Sequence, residues 1–135
     1  MGYSIIAAEY NLPLIDAMVA VAKAEFMAHG LTLARVLRVP GAFELPIVAD
    51  HELAKADVAG LIVLGYIEKG ETLHGEVMGH VVHSALVELQ LKTKKPIGMG
   101  IIGPGATAEQ AQVRHVNCAK NAVKALKVVA ELIQV

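Results

Sequence analysis

Gly70-Glu71-Thr72, followed by His74, is the segment of this chain best equipped for chemistry. It separates an apolar run from the start of an amphipathic stretch, so it sits where a strand gives way to a helix. Free backbone N–H groups and the positive end of a helix make an anion pocket, and Thr72 adds a hydroxyl. His74 stands at the same helix start, where a group titrating near neutrality can shuttle protons. The same residues also suit an ordinary helix cap with a turn glycine. The pattern is not a P-loop, since no Gly-Lys-Ser/Thr follows a four-residue gap.

Gly41-Ala42-Phe43-Glu44 sets backbone donors beside an aromatic ring and a carboxylate, and Tyr10 offers a second ring. Flat surfaces with convergent polar groups suit a heteroaromatic ligand. Phe43 equally suits a core position, and Glu44 favours a helix N-terminus. Arg114 carries the natural complement of a phosphate, a guanidinium, although its direction is not set by the sequence. His80 and His83 share a helix, but no Cys or His-x-x-x-His pattern accompanies them, so no metal is expected. Cys118 falls in a mostly apolar helix, where a lone cysteine is a packing residue.

These residues need a frame that brings them together. Tyr3–Ala8 reads as a buried strand, and Pro13 opens a helix that stops near Gly30. Thr32–Val39 alternates as a second strand, and a helix over Phe43–Lys55 takes Pro46 in its first turn. Gly60–Ile67 is apolar throughout, as in a central parallel strand covered on both faces. A helix over His74–Leu91 and a fourth strand over Pro96–Ile102 follow, the strand closed by Gly103-Pro104-Gly105. Thr107 and Gln110 form a capping box for a helix over Thr107–Val113. A turn near His115–Asn117 then leads to a last amphipathic helix over Val116–Ile133.

Alternating strands and helices predict a three-layer α/β/α sandwich around a four-stranded parallel sheet, flavodoxin-like in style. Ligands gather at the carboxyl ends of such strands. The four loops expected there are Glu9–Asn11, Pro40–Glu44, Glu68–His74 and Gly103–Thr107, which hold most of the residues named above.

Composition narrows the class. The 135 residues suit a single domain spanning 1–135. The net charge of −1 and the lack of a basic block argue against nucleic-acid binding. Mean hydropathy is +0.52, yet the longest apolar stretch is far short of the ~20 residues that span a membrane. With one cysteine and no signal-like start, a soluble cytoplasmic protein is expected. Hydrophobic residues reach 55% with aromatics at 4%, which predicts a subunit that buries apolar surface against copies of itself.

Four motifs carry a family resemblance in chain order. Glu9-Tyr10-Asn11, Val39–Pro46, Gly65–His74 and Glu109–Arg114 resemble the 6,7-dimethyl-8-ribityllumazine synthases, with Gly103–Gly105 similar to the archaeal branch. The resemblance implies condensation of 5-amino-6-ribitylaminouracil with 3,4-dihydroxy-2-butanone 4-phosphate, the penultimate step of riboflavin synthesis, with no cofactor. It implies that Tyr10, with Asn11 beside it, stacks on the pyrimidine. Ala42 and Phe43 edge the ring, and Glu44 holds the ribityl chain. Met99 aligns with an aromatic that helps cover the ring in many members. Gly70, Glu71 and Thr72 would bind phosphate, His74 would transfer protons, and Arg114 would reach the phosphate from a neighbouring subunit. A homo-oligomer follows: a pentamer or a multiple of five, a 60-subunit shell among them. The same scaffold also serves an archaeal riboflavin synthase paralogue, and it suits a non-catalytic flavin-binding or shell-forming protein.

Overall fold

A computed structural model describes residues 1–133. Its strands are β1 (Gly2–Ala8), β2 (Leu33–Val39), β3 (Val58–Glu68) and β4 (Ile97–Ala106). They form one parallel sheet in the order β2-β1-β3-β4. The helices are α1 (Leu12–Ala28), α2 (Leu45–Leu53), α3 (His74–Thr93) and α4 (Ala108–Leu132), and a short 3-10 turn at Ala42–Glu44 leads into α2. The three-layer architecture matches the sequence reading.

Alternation along the strands feeds two cores. Ile5 and Ala7 of β1, with Ile62, Leu64 and Tyr66 of β3, face α1 and α4. Ile6 and Ala8, with Leu61, Val63 and Ile67, face α2 and α3. Small residues let these layers close around two buried aromatic side chains, Phe26 and Tyr66. A Cβ at Gly98 would lie 2.2 Å from the Ala122 carbonyl oxygen, so α4 rests directly on the backbone of β4.

Two sequence expectations are corrected. First, β4 does not stop at Ile102. It runs through Gly103-Pro104-Gly105 to Ala106, which pairs with Glu68 across a register shift after Tyr66. Gly103 and Gly105 have φ of 94° and 90°, so they absorb this irregularity within the strand instead of ending it. Second, α4 is one continuous helix, with no turn at His115–Asn117. The stretch from 108 to 132 holds neither Gly nor Pro, so nothing interrupts its backbone ladder. The capping box is present: Gln110 N donates to Thr107 Oγ1 at 3.3 Å, and Thr107 N to Gln110 Oε1 at 2.9 Å.

The amino-terminal side of the sheet is tied by a charged cluster. Glu52 is fully buried. It accepts from Ser4 Oγ and Arg35 Nε, both at 2.6 Å, and faces Lys55 Nζ at 2.9 Å. Burial works against its charge, yet Ser4, Lys55 and Arg35 together hold the carboxyl down at about 2. No helix among the described residues is long and apolar enough to cross a membrane.

Candidate active site

The carboxyl ends of β1 and β3 open onto a cavity of about 330 Å³. Its aromatic walls are Tyr10, which follows β1, and Tyr66 of β3, with ring centroids 6.1 Å apart and planes tilted by 48°. The Pro40–Ala42 turn forms another side, and Gly70, Thr72 and His74 border it where α3 begins. Met78, one turn into α3, adds an adaptable apolar surface.

The polar contacts at this cavity converge. Tyr10 Oη donates to Glu68 Oε1 at 2.6 Å, and Tyr66 Oη donates to the Ala106 carbonyl at 3.1 Å. The bond to Glu68 raises the Tyr10 phenol above its usual value, with burial and the carboxylate charge adding to it. Burial, then the nearby charge of Glu68, raises Tyr66 in the same way. His74 is exposed, with its ring edge-on to Phe43 at 6.2 Å, and its backbone N–H donates to Thr72 Oγ1 at 3.3 Å.

A second cavity of about 280 Å³ adjoins the first, and Glu68, Gly70, Thr72 and Gly75 line both. Lys69, Glu71, Glu76 and Gly105 complete much of its wall. The His74 amide is taken by Thr72 Oγ1, which leaves the Gly75 and Glu76 amides at the start of α3 to hold an anion. Three carboxylates against one lysine leave this pocket acidic, so a dianion there needs a further cation.

Of the residues expected from sequence, Tyr10, Ala42, Gly70, Thr72 and His74 meet in the first cavity, and Glu71 lines the second. Phe43 joins through its contact with His74. Four others lie outside both cavities. Asn11 caps α1 in a left-handed conformation, with φ of 61°. Glu44 is half-buried at the entry to α2. Met99 is early in β4, where it pairs with Val63 and packs on the core layer under α2 and α3. The strand runs on past it to Ala106, so Met99 stands away from the carboxyl end where the cavities open. Arg114 is exposed on α4 and has no carboxylate partner among the described residues.

Tyr66 and Glu68 are site residues that the sequence reading did not single out. Tyr66 sits in an apolar strand and reads as core. Its hydroxyl is the signal, because a buried phenol needs an acceptor. Glu68 is the first charge after that run, which marks the point where β3 leaves the core.

Two adjoining cavities, one aromatic and one lined by helix-start amides, at the carboxyl ends of a parallel sheet agree with the resemblance. Residues 1–135 match the family described as 6,7-dimethyl-8-ribityllumazine synthase. The chain belongs to the 6,7-dimethyl-8-ribityllumazine synthase family. It is 37% identical to the lumazine synthase of Staphylothermus marinus over 124 residues, 90% of this chain and 81% of that one. It is 38% identical to the Methanocaldococcus jannaschii lumazine synthase over 122 residues, 89% of this chain and 84% of the other. The Metallosphaera sedula lumazine synthase is also 38% identical, over 112 residues, 82% of this chain and 73% of the relative.

Proposed function

We propose that this chain is a lumazine synthase. It condenses 5-amino-6-ribitylaminouracil with 3,4-dihydroxy-2-butanone 4-phosphate and releases lumazine, phosphate and water. The observation that carries the reading is the shared wall: Gly70 and Thr72 border both the aromatic cavity and the amide-lined pocket. A pyrimidine in the first and a sugar-derived phosphate in the second meet at that wall.

The roles are those the family resemblance implies. Tyr10 stacks on the pyrimidinedione, with Ala42 and Phe43 at its edge and Glu44 toward the ribityl chain. Gly70, Glu71 and Thr72 hold the phosphate through the start of α3. The ring amine attacks the ketone and water leaves to give an imine. Loss of the C3 proton turns the imine into an enamine that expels phosphate. The resulting enol tautomerises to a methyl ketone with its new carbonyl at C3, and the ribitylamine closes the second ring on that carbonyl with loss of water. His74 carries protons during imine formation and elimination. Holding both substrates side by side supplies much of the acceleration.

The acidic lining of the phosphate pocket calls for a cation from elsewhere, and Arg114 of a neighbouring subunit supplies it. Exposed apolar residues fit such an assembly. Leu73, Val77, Val81 and Leu91 lie along α3 at 53–71% exposure, and Val113, beside Arg114, is 80% exposed. The reading therefore includes a homopentamer or a multiple of five, up to a 60-subunit shell. Light scattering at micromolar concentration tests the assembly, and a monomer would contradict it. Incubation with both substrates tests the activity, since lumazine fluorescence appears only when both are present.

A further inference from the structure

Tyr10 is a half-exposed ring on a short loop, followed at once by the left-handed Asn11. Loop position alone does not hold such a ring in one orientation. Its hydroxyl is tied at 2.6 Å to Glu68, at the far end of the neighbouring strand β3. Glu68 has a firm base. It pairs with Ala106 of β4, and the next amide, Lys69 N, donates to the Ala106 carbonyl at 2.9 Å. That carbonyl also accepts from Tyr66, so both aromatic walls are referenced to one point of the sheet.

We infer that Glu68 is a positioning residue for the pyrimidine substrate: its carboxylate clamps the Tyr10 hydroxyl and so fixes the ring on which the heteroaromatic substrate stacks. This rests on the proposed lumazine synthase reading. An ionised acceptor makes the stronger kind of hydrogen bond, and 2.6 Å is the length expected of one. The pair is exposed, and exposed pairs contribute little to folding. Its effect therefore falls on the geometry of the cavity. Stacking gains depend on ring offset and tilt, so a ring left free to swivel binds the substrate less tightly.

The test compares steady-state kinetics of wild type, Tyr10→Phe, Glu68→Gln, Glu68→Ala and the Tyr10→Phe/Glu68→Ala double variant. Tyr10→Phe keeps the ring and removes only the clamp. It should raise KM for the pyrimidine by about three- to tenfold, as expected for loss of one hydrogen bond, with kcat and KM for the butanone phosphate unchanged. Glu68→Ala should raise the pyrimidine KM by a similar factor, and the double variant should be no worse than either single one. Glu68→Gln, whose amide oxygen still accepts, should lie nearer wild type. An unchanged pyrimidine KM in Tyr10→Phe, or multiplied effects in the double variant, would overturn the inference. Should Glu68→Ala fail to fold, Tyr10→Phe alone decides. Wild-type protein that makes no lumazine would refute the functional reading and the inference with it. Lumazine formation with an unaffected Tyr10→Phe would refute the inference alone.

Discussion

Gly79 of α3 lies against Pro104 of β4, so closely that a Cβ on Gly79 would stand 2.5 Å from Pro104 Cδ. The contact seats α3 on the glycine-rich end of β4, and Gly105 of that end lines the second cavity, the proposed phosphate pocket. Gly79→Ala gains about 1 kcal/mol of helix propensity. Overpacking costs about 1–3 kcal/mol, and a proline ring cannot swing aside. The expected outcome is a net loss of stability in urea denaturation, together with a raised KM for the butanone phosphate as Gly105 is displaced. A variant at least as stable as wild type would mean that the helix and strand end separate easily.

Glu52 makes stability depend on acid. Its carboxyl titrates at about 2 in the fold, below the usual carboxylate value. A depressed pKa stabilises the fold above the unfolded value and loses that contribution as pH falls through the folded one. The expected loss, on the order of 3 kcal/mol, falls between about pH 4.5 and pH 2. Glu52→Gln should be less stable at pH 7, and most of the difference from wild type should vanish near pH 2. Thermal melts of both proteins across that range check it.

The fold is legible wherever one signal decides. The apolar run Gly60–Ile67 can only be a covered strand, and Thr107 with Gln110 marks the start of α4. The end of β4 is not legible, because Gly-Pro-Gly is a turn signal. The pairing of Ala106 with Glu68 that keeps it in the sheet is a contact 38 residues away in sequence. Met99 enters the site only through the family resemblance, and the four residues of strand beyond Ile102 set it well before the strand's end. Tyr10 and Thr72 are legible because they stand in loops at strand ends, and His74 because it opens the helix that follows one. Tyr66 is hidden because a ring in an apolar strand reads as core until its hydroxyl partner is known. The expected break at His115–Asn117 had no breaking residue behind it.

Arg114→Ala should weaken the butanone phosphate far more than the pyrimidine. Arg114 has no carboxylate partner among the described residues, and the proposed phosphate pocket is short of positive charge. Loss of a charge-assisted phosphate contact costs about 1.5–3 kcal/mol, roughly tenfold to over a hundredfold in KM. Equal rises in both Michaelis constants would show that Arg114 is not the phosphate ligand.

His74→Ala should leave a slow enzyme with both KM values little changed. General acid–base help is worth about 10²–10⁴-fold, and the low end is expected here. The amine is already a competent nucleophile, phosphate leaves readily, and His74 lies in an open site where water can carry protons. His80→Ala and His83→Ala should keep kcat near wild type. His80 is exposed 3.9 Å from Glu76, and His83 Nδ1 is tied to the Gly79 carbonyl at 2.7 Å. Full kcat in His74→Ala beside a loss in either of the others would name a different histidine.

The most direct test of the account follows inorganic phosphate and lumazine together in one reaction of wild-type protein with both substrates. The account predicts that they appear at equal rates and in equal amounts, and that omitting either substrate abolishes both. Phosphate released without lumazine, riboflavin formed from lumazine alone, or ligand binding with no turnover would contradict it.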